Sequence, residues 1–195
     1  GLAAGYTYQN LSFAATGTWD LGNPLTVGGS LALTSAGALD AAGNNISVTG
    51  NTSSVGTIAL NGGDLSTTNL TVSGSLTADA GVPSETITVS GNLDMSNAAN
   101  NFTAGDSTVL LQGAASTINA PEETFNNITV NKGAGATTVT MNSILRLAGG
   151  SGVLTMTQGT LSLNANTLQL GTDLNMSSAN SATIAIGTGT LAGAT

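Results

Sequence analysis

The sequence contains neither cysteine nor histidine. Without cysteine there is no disulfide framework and no thiolate metal site. Without histidine the commonest general base and the commonest neutral metal ligand are both missing. Positive charge is scarce as well: Lys132 and Arg146 stand against 10 acids, for a net charge of −8. Two separated cations cannot displace the counterions around nucleic-acid phosphates or hold an anionic membrane surface. No apolar run approaches the ~18 residues of a membrane-spanning helix, so no membrane insertion is expected. Aromatics are limited to Tyr6, Tyr8, Phe13, Trp19, Phe102 and Phe125. These residues cannot build a thick aromatic core, so the buried layers must be thin and made of Leu, Val, Ile, Ala and Met.

Thr, Ser and Asn are abundant, at roughly a third of the chain, well above ordinary usage. They alternate with apolar residues in a short recurring phrase, as in Leu31-Ala32-Leu33, Ile46-Ser47-Val48, Leu70-Thr71-Val72, Ile128-Thr129-Val130 and Leu161-Ser162-Leu163. Alternation at period two marks a strand with one face buried. About two dozen such units follow one another, bracketed by Gly, Asn and Asp that tolerate left-handed backbone. Pro24, Pro83 and Pro121 all fall between units, which spares the strand interiors a lost donor. The segment from Met141 to Leu147 reads as two short strands. The expected fold is all-β: a right-handed parallel β-helix, or β-solenoid, of roughly eight coils of about 24 residues. At ~4.8 Å per coil the stack stands about 38 Å tall.

A longer repeat overlies the short one. Tyr8-Gln9-Asn10-Leu11-Ser12-Phe13 matches Phe125-Asn126-Asn127-Ile128-Thr129-Val130, and Gly37 to Ile46 matches Gly159 to Leu168. We read residues 1–195 as a single solenoid array in which a supercycle over 8–124 is partly repeated in 125–195.

The phrases from Tyr8 to Gly50 and from Thr124 to Gly171 resemble the β-strand repeats of large bacterial surface proteins, the filamentous-haemagglutinin-like and autotransporter-type adhesins. The resemblance covers most of the chain and is one of strand grammar. It implies a right-handed parallel β-helix, export to the extracellular space or cell surface, and a part in adhesion or in building a fibre. It carries no catalytic residue over.

Candidate sites are few. Glu122-Glu123 is the densest acidic point; adjacent carboxylates diverge on an extended chain, and after Pro121 a solvated loop is expected. Pectin and pectate lyases share the fold but need clustered carboxylates and a cationic base, whereas the acids here are scattered and Arg146 is alone. Asn61-Gly62-Gly63-Asp64-Leu65 is a single imperfect fragment of a calcium repeat and reads as a turn. Thr-x-Thr pairs at Thr16, Thr86, Thr138, Thr155 and Thr188 could form an ice-binding face but are irregularly spaced. The sequons at Asn10, Asn45, Asn51, Asn69, Asn101, Asn127 and Asn175 follow from a turn Asn preceding a strand. Trp19 reads as packing. No catalytic, cofactor or metal residue is assigned and no cofactor is expected.

The expected role is structural: a rod segment or filament subunit that assembles by coil-to-coil stacking. The partner is a further copy, head to tail, or the continuation of a larger chain. Leu11 and Phe13 at one end and Ile184, Ile186 and Leu191 at the other are the expected assembly residues. The alternative is a module that binds surface glycans or ice.

Overall fold

The computed structural model describes residues 2, 5–78, 84–97, 101–133, 137–177 and 181–193. Their regular structure is all strand, and the strands of successive coils pair in parallel. The result is a β-solenoid with three faces. One column of the first face runs Leu25, Ile46, Leu65, Ile87, Val109, Ile128, Leu154 and Leu174, each paired with the next. The second face climbs from Leu11–Phe13 to Ala182–Ala185, and the third from Thr18–Asp20 to Thr190–Ala192. The stack makes about eight turns of roughly 22 residues, slightly tighter than the expected 24. Two-residue corners account for the saving: only Val55-Gly56 and Ser73-Gly74 separate second-face from third-face strands in their coils. A Cβ on Gly74 would overlap the Gly56 carbonyl, and one on Gly56 the Gly37 carbonyl, so this corner column requires glycine.

The alternation resolves as the period demands. Leu65, Ile87, Val109, Ile128, Leu154 and Leu161 are fully buried, while the intervening Thr71, Thr88, Thr129 and Ser162 face outward. Each buried Leu or Ile contributes about 1.5–3 kcal/mol of burial. Met141 to Leu147 forms the ends of two strands, Thr138–Met141 and Leu145–Leu147. One strand carries no apolar residue. Thr52–Ser54 points two hydroxyls into the core, where Thr52 Oγ1 donates to Thr67 Oγ1 at 3.0 Å and Ser54 Oγ to the Gly56 carbonyl at 2.9 Å. Hydrogen bonding among these side chains offsets their desolvation, and nothing in an apolar pattern could reveal that strand. Pro24 and Pro121 lie outside strands; Pro83 lies outside the described residues.

The third face is not continuous. Its strands form two sheets, a lower one of five strands ending at Phe102–Thr103 and an upper one of four beginning at Thr124–Phe125. The first two faces run past this seam without interruption. Below the seam, the tight turns Ala41 to Asn44, Leu60 to Gly63 and Ala104 to Ser107 lead from the third face to the first. Above it, Ala120 to Glu123, Leu163 to Asn166 and Ile186 to Gly189 lead from the second face to the third. The turn therefore moves back by one corner at the seam, and the third-face strands on its two sides meet their turns at opposite ends.

Candidate functional site

Several ionisable side chains hydrogen-bond to the backbone. Glu123 is 1% exposed, which corrects the expectation of a solvated Glu122-Glu123 loop: Glu122 is in solvent, Glu123 is not. Its turn folds the carboxylate over the end of the lower third-face sheet. There Oε1 accepts the Asn101 N–H at 3.1 Å and Oε2 the Phe102 N–H at 3.0 Å. The carboxylate replaces the backbone acceptors that a next strand would supply. Charge-assisted bonds of this kind are about twice as strong as neutral ones. Phe102 and Phe125 pack across the seam as a tilted pair, ring centroids 5.3 Å apart and planes at 48°, where the ladder stops. Glu85 is likewise buried and accepts the Gly62 N–H at 2.9 Å through Oε1.

The two cations are also structural in their contacts. Lys132 is 3% exposed and its Nζ donates to the Gln112 carbonyl at 2.7 Å. Burial pulls its pKa down from 10.5 to about 8. Arg146 donates through Nη1 to the Pro121 carbonyl, tying the upper third-face sheet to the turn beneath it. Among the described residues no group of three or more His, Cys, Asp or Glu could hold a metal ion. Asn61-Gly62-Gly63-Asp64 is a turn with positive φ at Asn61 and Gly62, and Asp64 Oδ1 accepts the Thr86 N–H of the next coil at 2.7 Å.

Asparagine continues the ladder around the corner between the first two faces. Asn10 Oδ1 accepts from Ser30 N, Asn69 Nδ2 donates to Asn51 Oδ1, Asn69 Oδ1 accepts from Asn92 N and Asn92 Oδ1 from Thr117 N, all at 2.7–2.9 Å. Three of these asparagines, Asn10, Asn51 and Asn69, begin sequons. Their amides hold adjacent coils together, which gives the sequon pattern a structural cause.

The Thr-x-Thr pairs do not form one face. Thr86 and Thr155 lie on the first face, Thr138 on the second, and Thr188 in a turn. A different column does form. Thr7, Thr26, Ser47, Ser66, Thr88, Leu110, Thr129, Thr155 and Asn175 are consecutive partners up the first face and point outward. A shallow recess of about 380 Å³ opens along it, lined by polar residues that include Asn45, Ser47, Asp64, Ser66 and Thr88. Only knowledge of which units share a face could have exposed this column in the sequence.

The expected assembly residues lie at the two ends of the stack. Leu11 and Phe13 belong to the lowest second-face strand, beside a recess of about 440 Å³ that they share with Leu2, Trp19 and Leu21. Phe13 and Trp19 pack as a tilted pair with centroids 4.8 Å apart, the packing role expected of Trp19. Ile184 lies in the highest second-face strand, Ile186 at its exit and Leu191 in the highest third-face strand. Ile186 and Leu191 are each 41% exposed, while the paired residue below Leu191, Leu168, is fully buried. Gly1 and Thr195 lie outside the described residues. Comparison with known proteins adds no relative, since no family model, curated protein or solved structure matches this chain.

Proposed function

We propose that this chain is a structural rod segment of an extracellular filament or a cell-surface adhesin of the bacterial kind its strand grammar resembles. It lengthens by stacking coil on coil, on a further copy or on the continuation of a larger chain. The observation that carries the reading is the deployment of the polar side chains. Glu85, Glu123, Lys132, Arg146 and three asparagines of the first corner, Asn10, Asn69 and Asn92, complete backbone hydrogen bonds between coils. A fold that commits its chemistry-bearing groups to its own ladder is suited to rigidity and repetition. The test is microscopy of the native material with surface labelling. Slender rods, with a fibre-diffraction repeat near ~4.8 Å along the axis, support the reading. Compact particles, or label confined to the cell interior, would overturn it.

The outward column of hydroxyls and its recess favour a second reading, a module that binds a neutral surface glycan along the first face. Binding of such a glycan that is lost on Ser66→Leu and Thr88→Leu, with the strand signal intact, would favour it over a purely structural role.

A further inference from the structure

Resting on the glycan reading of the first face, we infer that Asn45 and Asp64 anchor a bounded subsite for a linear neutral polysaccharide, with one sugar to each coil. The recess of about 380 Å³ crosses three successive strands, Ile46–Val48, Leu65–Thr67 and Thr86–Val89. Two of its polar side chains are held in place by the backbone of the next coil. Asn45 Oδ1 accepts the Asp64 N–H at 3.0 Å, and Asp64 Oδ1 accepts the Thr86 N–H at 2.7 Å. Each bond uses one end of its group. Asn45 Nδ2 and Asp64 Oδ2 take no part in them, and both residues are exposed. The recess therefore offers a donor nitrogen, an acceptor oxygen and the hydroxyls of Ser47, Ser66 and Thr88, which do both. Side chains already held in this way lose little freedom when a ligand arrives.

This donor and acceptor set matches a row of sugar hydroxyls, each of which both gives and takes a hydrogen bond. A hydroxyl that donates to the Asp64 carboxylate makes a charge-assisted bond, the strongest contact the recess can form. Charge narrows the ligand class: Asp64 and a net charge of −8 repel uronates, sulfated sugars and phosphates. Spacing narrows it further. Coils repeat every ~4.8 Å, close to the advance of one ring in an extended 1,4-linked pyranose chain. A linear glycan lying along the axis therefore meets a comparable set of groups at each step. The floor is set by side-chain size, since Ser47 and Ser66 stand between the larger Thr26 and Thr88 in the outward column. The track stops at Leu110, the partner of Thr88 in the next coil, whose side chain has nothing to offer a hydroxyl. Among the described residues that line the recess none is aromatic, so no ring stacks on a sugar. Hydrogen bonds carry the contact, and affinity accumulates sugar by sugar along the track.

Affinity electrophoresis tests the subsite, with the chain run in native gels that contain hydroxyethylcellulose, glucomannan, arabinoxylan, linear galactan or polygalacturonate. At least one neutral polymer should retard it, and polygalacturonate should not. Asp64→Asn keeps the Oδ1 acceptor for the Thr86 N–H and loses the charge; it should weaken retardation by the best neutral polymer about tenfold. Leu110→Ser should extend the track by one coil. The hexasaccharide of that polymer should then compete severalfold better, and its trisaccharide no better. If Asp64→Asn loses its strand signal by circular dichroism, Thr88→Val replaces it and should weaken retardation severalfold. Retardation that Ser66→Leu abolishes but Asp64→Asn leaves unchanged would overturn this subsite and leave the glycan reading standing. So would equal retardation by polygalacturonate, or a hexasaccharide that gains nothing from Leu110→Ser. Retardation by no neutral polymer, or retardation that survives Ser66→Leu, would overturn the glycan reading and the subsite with it.

Discussion

The coils below the seam and those above it are built from the same parts in different places. Below, Ala42 and Gly43 take φ of 49° and 81° in a tight turn, and Asn44 Nδ2 reaches down to the Leu21 carbonyl at 2.8 Å. Above, Asn164 and Ala165 take φ of 47° and 65°, and Asn166 Nδ2 reaches down to the Met141 carbonyl at 2.8 Å. The two turns share one local structure. The first delivers the chain to the first face at Ile46–Val48, the second to the third face at Thr167–Gln169. A corner is thus a self-contained unit that this chain sets at two different edges of the prism. The cost of moving it is local, because the strand register of one face must break, and Glu123 with the Phe102–Phe125 pair closes that break.

This arrangement predicts two blocks joined by their weakest interface, since solenoid stability is a sum of coil and neighbour terms and the seam lacks one ladder of three. The largest effect tests it. Leu161→Asp places a charge in a fully buried apolar site of the upper block. Hydrogen exchange should then show protection lost over 124–176 and retained over 25–78. Leu39→Asp should give the mirror result. Loss of protection throughout after either change would show that the first two faces alone bind the blocks into one cooperative unit.

The seam itself gives the next effect. Glu123→Leu removes the acceptor from the buried Phe102 N–H, at about 1–3 kcal/mol, and from the part-buried Asn101 N–H at less. Glu123→Gln keeps one good acceptor and should fall between Leu and the native residue. Denaturant titration should show the Leu variant separating into two transitions. A single transition at the native midpoint would mean that the carboxylate contributes nothing to the junction.

How much of this was legible in sequence follows from what each feature depends on. Strand identity depends on alternation between neighbours, so Leu70-Thr71-Val72 and its like were readable, and the coil count with them. Thr52–Ser54 was not, because its burial rests on a partner, Thr67, 15 residues away. The supercycle match from Gly37 to Ile46 and from Gly159 to Leu168 records the turn module, positive φ and downward Asn included. It does not record the face, since the two copies occupy different corners. Glu123 read as solvated because a carboxylate's burial depends on the two amides it meets, and these belong to the coil beneath. The apolar residues of the first and last described coils were readable as a pattern; which face each occupies required the fold.

Lys132 distinguishes the two blocks by pH. It lies above the seam, with its pKa lowered by burial from 10.5 to about 8. Between those values the unfolded chain holds the proton and the folded one does not, so unfolding takes protons up. Stability should therefore rise as pH increases from 8 to 10.5, by up to about 3 kcal/mol, and most in the upper block. Lys132→Met should abolish the slope. A stability that is flat across this window, or that falls, would place the ammonium in contact with solvent or a partner charge.

The smallest effect tests whether the corner is the same unit on both sides of the seam. Ala42 and Ala165 are both held at positive φ, 49° and 65°, where a Cβ costs about 1–2 kcal/mol. Glycine removes that strain but loses more freedom on folding, by about 0.5–1 kcal/mol. Ala42→Gly and Ala165→Gly should each stabilise the chain by a net ~0.5–1 kcal/mol, read as a rise in the denaturant midpoint of the block that carries it. Because the turn is set by its own four residues and one downward Asn, the two gains should agree with each other. Unequal gains would mean that the face receiving the chain, Ile46–Val48 in one case and Thr167–Gln169 in the other, imposes its own strain on the turn. The corner would then have been reshaped on moving, and the upper block would be a different construction rather than the same parts shifted by one edge.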